Sequence, residues 1–163
     1  MSLDPTTTPA PADFDAENAD NFEDIEKQFA VKAVQHLEIY WRMLGLRPGS
    51  QLSFTKLDDQ IYTHLCLSFP QFSTREGAAE VLVEDEIKSP GGKKVWRDFM
   101  MTYEKTVEDY NFGSLLRLDC MREYEQDNTI FVPRMQFLAI EIARNKFGLN
   151  DWVYKQESAK KSA

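Results

Sequence analysis

Two histidines and two cysteines are the whole stock of imidazole and thiol in these 163 residues. His36 and His64 stand alone, with no HxxxH or HExxH spacing to put two imidazoles on one helical face. Cys66 and Cys120 cannot complete a structural zinc site, so no metal is expected. Two isolated thiols also make no disulfide framework, and both read as core thiols of a reducing compartment. Long apolar runs are missing: none approaches the ~20 residues that cross a bilayer, and residues 1–20 lack the basic start and apolar stretch of a secretory signal. The expected location is the cytoplasm, away from membranes. Glycine is sparse as well, with seven residues. Gly91-Gly92-Lys93-Lys94 lacks the glycine spacing, the following Ser or Thr and the preceding buried strand of a phosphate-binding loop. Neither a catalytic constellation nor a cofactor is expected.

What is present is an ordinary globular composition, 42% hydrophobic and 28% charged, on a chain long enough for one domain with one core. The net charge of -8 is local. Asp4, Asp13, Asp15, Glu17, Asp20, Glu23, Asp24 and Glu26 all precede the first basic residue, Lys27. The remaining 19 acids balance the 19 lysines and arginines. Without a clustered positive surface, nucleic acid is not expected as a partner, whereas a basic protein surface is compatible with the acidic segment.

Three regions follow from the patterning: a disordered acidic tail at 1–19, a globular domain at 20–150 and a flexible Lys- and Ser-rich tail at 151–163. Within the domain, Phe22, Ile25, Phe29, Ala33, Leu37, Tyr40, Trp41 and Leu44 recur at helical spacing over about 21–44, started by an Asp20/Glu23 capping box and stopped by Gly45 and Pro48. Helices are expected near 55–69, with Asp58 in the first turn, near 90–111, capped by Ser89-Pro90, and near 134–147, stopped by Gly148. The stretch 71–88 contains Val81-Leu82-Val83, equally compatible with an edge strand or a loop. Leu116, Leu118 and Cys120 alternate with Arg117 and Asp119, and 129–132 is a second strand, giving one antiparallel hairpin. The fold class is therefore mainly α with a small antiparallel β-hairpin, a single compact domain of about four principal helices. Trp96, Phe99, Tyr103, Phe137, Leu138 and Ile142 are its expected core.

Several polar residues interrupt this pattern. Asp58 and Asp59 are adjacent, so on a helix they diverge by about 100° and cannot both address one atom. Arg134, Gln136, Glu141, Arg144 and Asn145 punctuate an otherwise apolar last helix, and Glu141 with Arg144 has the spacing of an intrahelical pair. Arg117 and Asp119, two apart on a strand, share a face. Either these residues form a satisfied core network or they form a polar recognition surface. The surface reading groups Lys56, Asp58, Asp59, Arg117, Asp119, Arg134 and Arg144 as partner-binding residues.

Three stretches carry a family resemblance: Lys56-Leu-Asp-Asp-Gln-Ile-Tyr62, residues 107–120 (Val-Glu-Asp-Tyr-Asn-Phe-Gly-Ser-Leu-Leu-Arg-Leu-Asp-Cys) and residues 128–145 (Asn-Thr-Ile-Phe-Val-Pro-Arg-Met-Gln-Phe-Leu-Ala-Ile-Glu-Ile-Ala-Arg-Asn). The chain resembles the polysaccharide biosynthesis domain-containing protein 1 family over roughly 25–150, with 71–92 departing most from the pattern. The resemblance implies a cytosolic, monomeric, non-enzymatic binding factor: a chaperone that engages the nascent GTP-binding domain of translation elongation factor 1-alpha at the ribosome, where ribosome-associated factors are further partners. The family label suggests instead an enzyme or accessory protein of polysaccharide biosynthesis. Sugar or methyl transfer needs a donor site, commonly on a glycine-rich strand-to-helix turn that this chain lacks. A structural scaffold is the remaining alternative.

The concentration of acids before Lys27 predicts that this segment steers association. Attraction between exposed charges is screened over ~8 Å at physiological salt. Deleting residues 1–19 is expected to slow the low-salt association rate with the elongation factor and to flatten its salt dependence, as measured by stopped-flow mixing. An unchanged low-salt rate refutes the idea.

Overall fold

The computed structural model describes residues 16–77 and 79–162, with side chains for 27–77 and 79–162. In chain order the elements are α1 (Ala16–Leu46), α2 (Asp58–Ser68), α3 (Glu84–Lys88), α4 (Pro90–Met101), β1 (Gly113–Arg117), β2 (Thr129–Pro133), α5 (Arg134–Lys146) and α6 (Asp151–Ser162). Mainly helical architecture with one antiparallel hairpin is as expected from the periodicities. No helix among the described residues is long and apolar enough to cross a membrane.

The chain divides into two units, 1–32 and 33–163. In the first, the backbone is helical from Ala16. Helix α1 thus begins ahead of the Asp20/Glu23 box, and 16–19, expected to be disordered, belong to it. The rest of the expected acidic tail lies outside the described residues. In the second unit α5 is central, and every residue from Met135 to Asn145 is buried. Around it pack α2, α4, the hairpin and the Ala33–Leu46 part of α1. All six expected core residues are buried. Trp96 stacks on Phe69 with ring centroids 4.4 Å apart and meets Phe99 edge-on, while Phe137 meets Tyr40 and Phe54 edge-on. Such pairs add to the burial of the rings themselves.

Several boundaries differ from expectation, each for a local reason. Helix α2 starts at Asp58 rather than near Thr55, because the Asp58 carboxylate turns back to accept from the Phe54 and Thr55 N–H groups, both at 2.8 Å. Those residues are held in a capping turn outside the helix. Helix α4 is capped as expected, Ser89 Oγ accepting from Gly92 N, but it ends at Met101 and not near 111. Its apolar period runs on, and Tyr103 and Val107 are still buried, but the backbone turns so that the Tyr110 and Phe112 carbonyls accept from Met135 N (2.7 Å) and Arg134 N (2.6 Å). These are free N–H groups of the first turn of α5, which Pro133 cannot cap with a side chain.

Strands β1 and β2 pair antiparallel in the register Gly113↔Pro133, Leu115↔Phe131, Arg117↔Thr129. Residues 71–83 resolve the strand-or-loop ambiguity between its two poles: Val81 and Asp119 form one isolated bridge, with Leu82 N donating to Leu118 O. Residues 151–162, expected to be a flexible tail, form helix α6. Its lysines face water, but Val153 is buried and Trp152 Nε1 donates to Cys120 O at 2.9 Å, so the first turn is anchored. Gly148, at φ 71°, makes the reversal between α5 and α6 that a side chain would strain.

Beneath this scaffold lies a buried ionic network. Glu141, Arg117 and Arg144 are each 0% exposed. Glu141 Oε2 accepts from Arg144 Nη1 at 2.8 Å, and Oε1 accepts from Tyr40 Oη at 2.6 Å and Asn150 Nδ2 at 3.0 Å. Arg117 Nη2 stands 3.7 Å from Glu141 Oε1 and donates to Asn150 Oδ1. Two guanidiniums against one carboxylate leave an excess positive charge, which four backbone carbonyls absorb. Arg144 donates to Ala79 O and Leu118 O, and Arg117 to Cys120 O and Arg122 O. The Arg117 guanidinium also lies over the Trp41 and Tyr124 rings, 5.4 and 5.6 Å from their centroids. Burial alone would raise the Glu141 pKa, but Arg144 and Arg117, with the Tyr40 hydrogen bond, bring it below the ordinary value. Burial next to the same carboxylate pushes the Tyr40 phenol well up, and burial lifts the Cys120 thiol to about 11, keeping it protonated.

Truncating Trp96 or Phe137 to Ala is expected to cost ~3–5 kcal/mol of unfolding free energy in urea titrations. Glu141→Gln strands two buried cations and is expected to cost ~3–5 kcal/mol, against ~1–3 kcal/mol for Tyr40→Phe. Because the folded pKa of Glu141 is below the unfolded one, its contribution is complete above about 4.5 and is lost as the pH falls through the folded value. Urea titrations from neutral to acid pH are expected to show a part of the stability slope below 4.5 that disappears in Glu141→Gln. An unaltered slope contradicts this assignment.

Candidate functional site

The residue types singled out in Lys56-Leu-Asp-Asp-Gln-Ile-Tyr62 meet at an open cleft of about 360 Å³ between the start of α2, the preceding loop and the last turns of α5. Leu52, Phe54 and Ile142 give it apolar walls, while Ser50, Ser53, Thr55, Lys56, Asp58, Asp59, Asn145 and Lys146 supply its polar lining. The two aspartates divide the work as their helical divergence requires. Asp58 is consumed internally, accepting from the Phe54 and Thr55 backbones and from Thr55 Oγ1 at 2.8 Å. Asp59 points to water and pairs with Lys146 Nζ at 2.8 Å. That hydrogen bond, with the lysine charge, holds its carboxyl below the usual range. Lys146 in turn lies 5.4 Å from the Tyr62 ring centroid. Lys56 is exposed and has no ion-pair partner among the described residues. The cleft thus presents one free ammonium, one exposed ion pair and several hydroxyls, a mixed-charge surface rather than a pocket converging on one reacting atom.

Its back wall is bonded into the interior. Asn145 lines the cleft and belongs to the buried network, donating to Tyr40 Oη at 3.3 Å and accepting from Asn150 Nδ2 at 2.7 Å. Asp151, at the first turn of α6, receives Ser50 N and Ser50 Oγ at 2.9 and 2.8 Å and so fixes the loop on the cleft's other side.

Of the seven residues proposed from sequence, the structure brings Lys56, Asp58 and Asp59 together and leaves the other four elsewhere. Arg117 and Arg144 lie in the buried network and follow the core alternative, with Arg117 Nε alone of their polar atoms lacking a hydrogen-bond partner, so their side chains present no surface. Asp119 is half-buried and accepts from Met121 N at 2.9 Å, closing the turn after β1. Arg134, half-buried at the start of α5, keeps its Nε without a hydrogen-bond partner. Together with burial, which is the larger cause, its charge lowers the pKa of His36. Sequence reasoning missed Ser50 and Lys146 as cleft residues and Tyr40 and Asn150 as network residues. Each is brought in by a contact more than eighty positions distant, or by the turn at Gly148, and carries no local signal. Among the described residues no three His, Cys, Asp or Glu side chains gather to hold a metal ion.

A family model described as PBDC1 protein matches residues 25–155. The PBDC1 homologue of Schizosaccharomyces pombe is 59% identical over 141 residues, 86% of this chain and 95% of that protein. The Saccharomyces cerevisiae homologue is 52% identical over 144 residues, 88% and 98% of the two chains. The human PBDC1 protein is 44% identical over 139 residues, 85% of this chain but 58% of its own length. A Saccharomyces cerevisiae protein solved by solution NMR superposes with a TM-score of 0.77 at 52% identity, over 88% of this chain and 97% of that one. The matched span takes in the cleft, the buried network and the hairpin alike, and the chain belongs to the PBDC1 family.

Proposed function

We propose that this protein is a non-enzymatic, monomeric, cytoplasmic binding factor that acts as a co-translational chaperone of the nascent GTP-binding domain of translation elongation factor 1-alpha. The observation that carries the reading is the position of Lys56 and Asp59. Both come from one of the stretches on which the family resemblance rests, and both project from an open cleft in which neither serves the core. A charge at such a place gains little for the fold, since exposed ion pairs contribute little net stability. It does set the orientation and rate with which a charged partner docks. The mixed lining, an ammonium and a carboxylate above apolar walls, suits a protein segment carrying both signs of charge. The acidic segment before Lys27 adds a long-range field that favours a basic partner.

The test separates docking from folding. Lys56→Glu and Asp59→Lys are expected to shift the melting temperature by no more than about 2 °C. Each is expected to reduce capture of ribosome-bound elongation factor nascent chains on the order of tenfold or more. Asp58→Ala is expected to behave differently and lower stability by ~1 kcal/mol through loss of its capping bonds. Charge reversals that leave capture unchanged, or that unfold the protein, move the docking surface away from this cleft.

A further inference from the structure

We propose that a second docking groove, between α3, α4, β2 and the start of α5, receives an extended acidic peptide segment with apolar side chains from a protein partner. The groove is about 320 Å³ and shares no lining residue with the Lys56/Asp59 cleft, so it goes beyond the function proposed above. Trp96, Met100, Phe131 and Pro133 line it, and Phe131 is 58% exposed although it sits in the middle of a strand. An aromatic ring left in water beside other apolar groups is a surface that gains by being covered.

The charges say what covers it. Lys88, Lys93 and Arg97 stand on the rim, and no acid lines the groove, in a chain whose net charge is -8. Lys88 is paired with Glu84. Lys93 and Arg97 have no carboxylate partner among the described residues and lie four apart on one face of α4, where like charges repel. An incoming acid relieves that repulsion. Three cations are too few for the row of phosphate contacts that a nucleic acid needs against an acidic protein, and the walls are mostly apolar, so a peptide fits better. At the floor, the amide nitrogen of buried Gln136 has no acceptor. After rotation of its terminal torsion, the backbone carbonyl of an extended segment supplies one. The site has length as well: beyond Ile87 and Trp96, which form the shared wall, a smaller hollow of about 100 Å³ is lined by Phe72, Val81 and Val83 together with Glu86, so it offers a second anchor point to an apolar side chain of the segment and not to one of its acids.

The full chain is titrated with a fluorescein-labelled peptide alternating Asp with Phe and Leu, read by anisotropy, and with the same peptide carrying Lys for Asp. Saturable binding of the acidic peptide below ~1 mM, weaker by about tenfold or more for the Lys peptide and for a Lys93→Glu/Arg97→Glu variant of unchanged melting temperature, is the expected result. In 15N spectra the Gln136 side-chain amide and the Trp96 indole are expected to move, while Lys56→Glu leaves the affinity unaltered, which separates this groove from the proposed chaperone cleft. The proposal is overturned by equal binding of both peptides, by no effect of the double reversal, by shifts confined to the Lys56/Asp59 cleft, by no saturation at ~1 mM, or by tighter binding of an oligouridylate.

Discussion

The carboxylate of Glu141 is the constraint around which the rest is arranged. A charge taken wholly out of water costs several kcal/mol, and it persists only where opposite charge and hydrogen bonds replace the lost hydration. Here the replacement is complete at the carboxylate, through Arg144, Tyr40 and Asn150, with Arg117 close by. It then propagates. The second guanidinium brings an extra positive charge, which is tolerated because Ala79, Leu118, Cys120 and Arg122 turn their carbonyls inward. Those four residues lie in two irregular parts of the domain, the 71–83 stretch and the loop after β1. The two stretches meet in only one isolated bridge, and the buried cations add four further bonds that fix their path. A hydrophobic triad of similar volume could well hold α5 as tightly, but it would give these loops nothing to bond to.

This dependence explains why α5 is apolar around nearly its whole circumference and yet carries Glu141, Arg144 and Asn145. Its neighbours cover every face from Met135 to Asn145, so polar residues on it reach water only at its two ends, where Arg134 is half-buried and Lys146 emerges into the cleft. Asn145 stands at the boundary, with one face in the network and the other in the cleft wall. The cleft proposed for docking therefore rests directly on the hydrogen-bonded network of the interior.

Much of the architecture was legible because it follows from periodicity and caps. The α1 stop just before Pro48, the Ser89-Pro90 start of α4, the Gly148 reversal and the second strand stand where local chemistry puts them, whereas Gly45 is still inside α1 and β1 covers Gly113–Arg117 rather than the alternating 116–120 stretch. The errors cluster where a distant partner decides the outcome. Helix α4 ends early because the first turn of α5 needs the Tyr110 and Phe112 carbonyls, and no residue near Met101 announces that need. Residues 151–162 form a helix because Trp152 reaches Cys120 and Val153 is buried, although the composition of the segment is that of a solvated tail. For Arg117 the alternation leaves a core and a surface role equally open. Ser114 and Leu116 bury one face of the strand, and Trp41 and Tyr124 cover its second face at Arg117, so the guanidinium is sealed beneath them. Of the candidate site, the Lys56-to-Tyr62 stretch was legible as a unit, whereas Ser50 and Lys146, which complete its cleft, were not.

The adjacent pair Asp58 and Asp59 shows how a single helical step separates a capping carboxylate from an exposed one. The two side chains are chemically the same and one position apart, yet the 100° turn between them sends one into the capping loop and the other into solvent. The cap needs a carboxylate at the first position of α2, because Phe54 and Thr55 leave two N–H groups with no other acceptor. Asp59 meets no such requirement, and its bond to Lys146 is one an exposed pair can break and remake as a partner arrives. Changing both aspartates together therefore merges two causes, because loss of binding would follow from a loosened loop as readily as from a lost contact. Each must be changed alone, with stability and capture read on the same preparation, before a role in docking can be assigned to the motif.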